Sequence, residues 1–250
     1  MTHAEVEDSS TERTQRIYAR VAGFMYLWLI IADLVGLLTI SHIVGSGTFA
    51  ETTKRVVASE HLYRVALSSE LIESVSAVLL AFALYVTLKP VDKLLAQIAM
   101  YWRLGESFIG GVMSIFSFLT LRLYSPSQSV GALGTDQSQA LVGLTRHAAS
   151  VAYDISAIFF SVGSTLFFYL FFKSRYIPRI LSAFGVCASV IVAIICFGSL
   201  IFPEHASTLQ YGWVPIAIAE TITGIWLMIF AVRTQERTGQ RSAQPASIRS

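Results

Sequence analysis

Charge is what this chain most lacks. Of its 250 residues, 14% are Asp, Glu, Lys or Arg, where a water-soluble domain carries about 25%. The shortfall is gathered into long apolar blocks, which points to a bilayer as the solvent for most of the chain. The net charge is only +2 and the basic residues form no groove-like run, so nucleic acid is not an expected partner. Cysteine is nearly absent. Cys187 and Cys196 lie in one apolar block, ~13 Å apart along a helix axis, beyond the reach of a disulfide, and read as small buried apolar residues. Enzyme signatures are missing too. There is no Walker loop, no Rossmann glycine fingerprint and no HExxH, and no Gly-x-Ser-x-Gly at a strand-to-helix turn. Phosphoryl transfer and nucleotide hydrolysis are therefore not expected. Nor is a cleavable leader: the first apolar block starts near Val21 and runs about 23 residues, longer than a signal segment of ~7–15 residues, with no small-residue cleavage site behind it.

What the chain does have is six apolar blocks, at about 20–43, 66–89, 94–122, 147–173, 179–202 and 212–232. Each is near the ~20 residues that cross a hydrocarbon core of about 30 Å. The expected fold is all-α, an integral membrane bundle of six transmembrane helices spanning 17–233. Polar, disordered cytoplasmic segments are expected at 1–16 and 234–250. An even number of spans puts both termini on one side. That side carries thirteen Lys and Arg, counting Arg103, against five on the other (Lys54, Arg55, Arg64, Arg122, Arg146). The asymmetry predicts a multi-pass membrane protein with both termini in the cytoplasm. The inner turns are short, Lys89–Asp92 and Ser174–Pro178, and force antiparallel neighbours. The outer loops are longer. Glu51 to Tyr63 reads as an amphipathic surface helix, and Ser125-Pro126-Ser127 with Gly131 to Gly134 as a flexible stretch. Tyr18, Tyr26, Tyr101, Trp102, Tyr124, Tyr176, Tyr211 and Trp213 fall near predicted helix ends, as in an aromatic belt.

Several short motifs occur in a fixed order. They are Ala19-Arg20-Val21-Ala22-Gly23 opening the first span, Leu62-Tyr63-Arg64 before the second, and Leu84-Tyr85-Val86 through Lys89-Pro90-Val91. Arg103-Leu104-Gly105-Glu106 lies in the third span. Phe159-Phe160, Lys173-Ser174-Arg175-Tyr176-Ile177-Pro178-Arg179, and Pro215 with Ala219-Glu220 follow. Over about residues 17–233 the chain resembles the bacterial membrane family called domain of unknown function 4386. The resemblance implies a multi-pass membrane protein and no particular activity.

The informative residues are the ionisable ones inside the spans: Asp33, Glu70, Glu73, Arg103, Glu106, Asp154 and Glu220. A charge at the bilayer centre costs at least ~2.5–3.5 kcal/mol, so such residues face the bundle interior. Asp33, Glu106 and Glu220 each lie ~20 Å from the cytoplasmic ends of their helices, and Glu73 and Asp154 ~24–28 Å. Five spans thus place a carboxyl in one layer, with Glu70 at its outer edge. Only Arg103 stands against these acids. It is three residues from Glu106, which predicts an ion pair. The remaining acids must be protonated, solvated by a polar cavity, or neutralised by a bound cation. Stripes of small and hydroxyl residues accompany them: Ser150, Asp154, Ala157, Ser161 and Ser164; Ser107, Gly110, Gly111, Ser114 and Ser117; and Glu220, Thr223 and Gly224. Such stripes mark helix contacts or a polar wall.

Two outer residues complete the candidates. Arg64 lies four residues after Glu60, and either pairs with it or waits at the mouth of the acidic layer for an anion. His147 shares a helix face with Asp154, seven residues on. No short His-x3-His spacing occurs, so no metal site is expected, and the sequence names no cofactor. Three functions fit these residues. One is binding or moving a small molecule or cation through a carboxylate-lined, outward-facing cavity. Another is acid–base catalysis on a lipid-like substrate within the membrane, with His147 taking part. The third is a non-catalytic scaffold whose acids only pack helices.

Overall fold

A computed structural model describes residues 3–124, 134–205 and 210–232, with the side chains of 3–10, 135 and 210 left aside. It contains seven α-helices among the described residues: α1 (His3–Val44), α2 (Phe49–Ala58), α3 (Glu60–Leu88), α4 (Lys93–Tyr124), α5 (Thr135–Ser174), α6 (Arg179–Ile201) and α7 (Val214–Phe230). Two 3-10 turns, Pro203–His205 and Gln210–Trp213, lie between α6 and α7. All but α2 belong to the six stretches long and apolar enough to cross a membrane. The sequence-based expectation of a six-span all-α bundle therefore holds.

The spans pack in chain order. Each of α1, α3, α4, α5, α6 and α7 rests on the next, and α7 returns to α1 to close a ring. Across the ring the helix backbones approach only slightly, chiefly at a few positions of α3 and α5. On α1 the lipid-facing stripe is Ile17, Val21, Phe24, Trp28, Ile31, Val35 and Leu38, all well exposed. Its three-to-four spacing leaves the opposite face, with Ala19, Ala22 and Tyr26, for the interior. Where α1 meets α7 the helices approach through glycine. A Cβ on Gly23 would lie 2.6 Å from the Gly224 carbonyl oxygen, and one on Gly224 would lie 3.1 Å from the Gly23 carbonyl oxygen.

One end of the ring is tied by side chains from three helices and the two short turns. Gln15 Nε2 donates to the Thr87 carbonyl at 2.8 Å and to the Tyr176 hydroxyl at 2.9 Å. Trp226 Nε1 donates to the Tyr176 carbonyl at 3.3 Å. Lys173 pairs with Asp92 at 3.3 Å, bridging the two short turns. The N-terminal turns lack an apolar period, and α1 starts at His3. Gln15 anchors its polar turns, and Glu12 pairs with Arg16 at four-residue spacing. Tyr176 takes part in this knot through its hydroxyl and its carbonyl. The expected tail 234–250 and the stretch 125–133 lie outside the described residues.

The other end is roofed in part by α2. The segment predicted as one surface helix over Glu51–Tyr63 breaks at Ser59. A capping box starts α2: Glu51 N–H donates to Thr48 Oγ1, and Thr48 N–H donates to Glu51 Oε2 at 2.9 Å. Arg55 Nε donates to the Ile43 carbonyl at 3.1 Å, and its Nη2 donates to the Ser46 carbonyl at 3.1 Å, so one guanidinium closes the end of α1. Val56 then packs with Ile43, Tyr63, Leu67, Leu121, Tyr124 and Val142 in an outer apolar cluster.

Asp92 caps α4. The Leu95 N–H and then Lys173 hold its carboxyl below the usual carboxylate range. A carboxyl with a lowered folded-state pKa adds stability above its unfolded value of about 3.9 and loses it as pH falls through the folded value. Thermal unfolding in detergent is expected to show an acid-side loss of stability that flattens in Asp92→Asn. Asp92→Ala is expected to melt lower than Asp92→Asn, because asparagine keeps the cap and alanine does not. Equal melting of the two variants would remove the capping role.

Candidate functional site

Arg103, a third of the way along α4, is 2% exposed. Its long side chain lies across Gly163 of α5, where a Cβ would meet Arg103 Cγ at 2.8 Å and the Ala99 carbonyl oxygen at 3.1 Å. Only glycine leaves room for it. The guanidinium then stands 4.6 Å from the centre of the Phe160 ring, a cation–π contact. Its Nε is 3.1 Å from Glu106 Oε2. The angle is poor for a hydrogen bond, so the contact is an ion pair without one. Nη1 donates to Ser164 Oγ at 3.3 Å, and Ser164 Oγ donates to Glu220 Oε1 at 3.4 Å. One cation thus engages two carboxylates, Glu106 directly and Glu220 through a hydroxyl, and joins α4, α5 and α7.

Other groups gather around this centre. Glu73 of α3 is within electrostatic reach of Glu106, Asp33, Arg103 and Glu220. Glu70 interacts with Asp33, and its chain packs on α1 at Gly36. Tyr26 of α1, fully buried, interacts with Glu220, Arg103 and Glu106. Tyr153 of α5 interacts with Asp33, Cys196, Glu73 and Asp154. Its ring lies 5.5 Å from that of Trp213, which is 6.0 Å from Phe160.

The predicted site therefore divides. Asp33, Glu70, Glu73, Arg103, Glu106 and Glu220 come together from α1, α3, α4 and α7. Asp154 does not join them. It is turned about 100° around α5 from Tyr153, and its electrostatic neighbours are Cys196 of α6 and Tyr153. His147 shares Asp154's face, as its spacing implied, and is exposed. Arg64 is taken by Glu60: Nε and Nη2 both donate to Glu60 Oε1, at 3.0 and 2.7 Å. The pairing along its own helix is what the structure shows for this residue. Among the described residues no three of His, Cys, Asp and Glu form a group able to hold a metal ion.

Sequence reasoning passed over Tyr26, Tyr153, Phe160 and Gly163. Tyr26 was taken for a belt residue because it lies near the start of an apolar block. Yet it is seven residues before Asp33, within about 20° of the same face, and that spacing was readable. Gly163 and Phe160 become meaningful only once α4 is laid against α5.

Burial along the inward stripes changes with depth. On α5, Ala157, Phe160, Ser164, Phe167, Phe168 and Phe171 are buried. One turn before Ala157, Tyr153 is 42% exposed, and Ser150 is exposed. On α1, Tyr26 is 2% exposed, while Asp33, two turns on along the same face, is exposed. Leu37, a further turn on, is 57% exposed.

Six apolar spans closed in a ring about a buried polar cluster define a multi-pass integral membrane protein. The model of the family described as domain of unknown function (DUF4386) matches residues 21–231, and the chain belongs to that family. No curated protein and no solved structure matches the chain.

Removing one partner of a buried ion pair strands the other, at about 3–5 kcal/mol. Arg103→Met is therefore expected to destabilise the protein by about that much, and Arg103→Met with Glu106→Gln and Glu220→Gln by clearly less. Gly163→Ala, which forces Arg103 aside, is expected to lose about 1–3 kcal/mol. Detergent melting curves of the set measure this. If the triple variant were no better than Arg103→Met, the cluster would not be the counter-charge of the arginine.

Proposed function

We propose that this protein binds or moves a small molecule or cation through a carboxylate-lined cavity open on the side away from its termini. In this reading it lies in the inner cell membrane with both termini in the cytoplasm. The thirteen-to-five division of Lys and Arg supports that orientation. The end knotted by Gln15, Tyr176, Asp92 and Lys173 is then the cytoplasmic one.

The observation that supports the cavity is the exposure of two polar side chains beside buried neighbours. Tyr153 of α5 is 42% exposed and Asp33 of α1 is exposed, while Ala152, Ser156, Ala32 and Ile43 of the same helices are buried. The aromatic rings of Phe167, Phe168 and Phe171 close the interior below, and the Arg103 cluster forms its floor. Asp33, Glu70 and Glu73 line the wall above. A membrane interior keeps ionisable side chains where they meet one another, water or a ligand, and five carboxyls about one guanidinium favour a cationic or proton-exchanging occupant.

Accessibility tests this directly. In a background with Cys187 and Cys196 replaced by alanine, Ser150→Cys is expected to react in intact cells with a membrane-impermeant maleimide. Ala157→Cys, two turns deeper on the same stripe, is expected to stay unlabelled until the protein is denatured. Labelling of neither position in native protein, or of both alike, would remove the outward-facing cavity.

A further inference from the structure

We propose that the floor of the interior holds one monovalent metal cation of about the size of sodium, bound by Glu220 and Thr223 of α7. The outward-facing cavity gives the ion its route, and in that respect the inference rests on that reading. The ligands are argued independently of it.

The hydrogen bonds at the floor run one way. Arg103 Nη1 donates to Ser164 Oγ, and Ser164 Oγ passes its only proton to Glu220 Oε1. Glu220 Oε1 is met as an acceptor, so its carboxyl has no donor role here and is free to serve as a ligand. Its second oxygen has no hydrogen bond from a described residue. Charge is also left over. The groups facing Glu220 from the surrounding helices are Arg103 and Glu106 of α4, Glu73 of α3 and Tyr26 of α1. Arg103 is the one cation among them, and its nearest oxygen belongs to Glu106 at 3.1 Å.

Thr223 supplies the second, separate observation. It lies one turn along α7 from Glu220, on the inward face, and is 0% exposed. Its Oγ1 has no hydrogen-bond partner. Helical threonines commonly bond the carbonyl four residues back, as Thr87, Thr165 and Thr221 do here. Thr223 does not. An unpartnered hydroxyl in a buried site is unfavourable and calls for a partner such as a water or an ion. Hard cations take carboxylate and hydroxyl oxygens. Transition metals would want nitrogen or sulfur ligands or several carboxylates at once, and no such group of three exists among the described residues. Hard divalent ions would want more carboxylates than Glu220 alone, so the fit is a singly charged ion, its shell completed by water.

The test uses the purified full-length protein in detergent at fixed pH and ionic strength, with choline replaced stepwise by lithium, sodium or potassium. Sodium is expected to raise the melting temperature by several degrees in a saturable way, and more than potassium, because a ligand that binds only the folded state stabilises by mass action. Thr223→Val and Glu220→Gln are each expected to abolish the saturable rise. Thr223→Val is also expected to melt in choline at or above the wild-type temperature, because the methyl group replaces an unpartnered hydroxyl. That result separates loss of a ligand from loss of folding. Absence of any metal-specific rise in wild type, or its persistence in Thr223→Val, would overturn the inference and leave protons as the counter-charge. Labelled Ser150→Cys with no sodium effect sinks the ion site alone. A sodium effect without labelling sinks the outward-facing cavity alone.

Discussion

Arg103 carries a full positive charge into the membrane, and a guanidinium there must find carboxylates, hydroxyls or water on every side. Much of the neighbourhood follows from that demand. Gly163 is bare so that the side chain can cross α5. Phe160 offers its ring face, Glu106 its carboxylate, and Ser164 a hydroxyl that extends the charge to Glu220. A buried ion pair is weak evidence for stability, because desolvation offsets attraction. What the arrangement supplies is specificity of assembly. Three helices must arrive in one register before the charge is satisfied.

The ring also has two characters along its axis. The half near the short turns is apolar and tightly packed, with phenylalanines of α5 against α6; a Cβ on Gly185 would fall 2.3 Å from Phe168. The other half is lined by acids and by Tyr153, and its packing is displaced outward to the cluster of Val56, Tyr63, Leu121 and Tyr124. The polar centre sits between them. A structural scaffold would need only the first half. The second, with its ionisable groups, is what turns attention to a ligand.

Much of this was legible in the sequence because membranes impose simple rules. Six apolar blocks, two short basic turns and the spacing of Arg103 and Glu106 gave the spans and the central pair. Depth was legible as well, since rise per residue converts sequence distance into height. Azimuth was not. Asp154 lies at the expected height but faces α6, because which side of a helix is inward depends on which two helices flank it. The same ambiguity placed Tyr26 in a belt when it faces the centre. The polar N-terminal turns of α1 escaped notice for a different reason. Gln15 is held by a carbonyl and a hydroxyl 72 and 161 residues away, and no local pattern announces such a partner.

The glycine-to-glycine crossing of Gly23 and Gly224 has a consequence for biosynthesis. It joins the first span to the last, so the ring stays open while the ribosome is still making the chain. Until α7 inserts, Glu220 is missing and one side of the polar centre faces lipid. The remaining acids and Arg103 must wait, solvated by water drawn into the bilayer or by the insertion machinery. Closure is a late event, and two residues without side chains let the final helix come near enough to complete it.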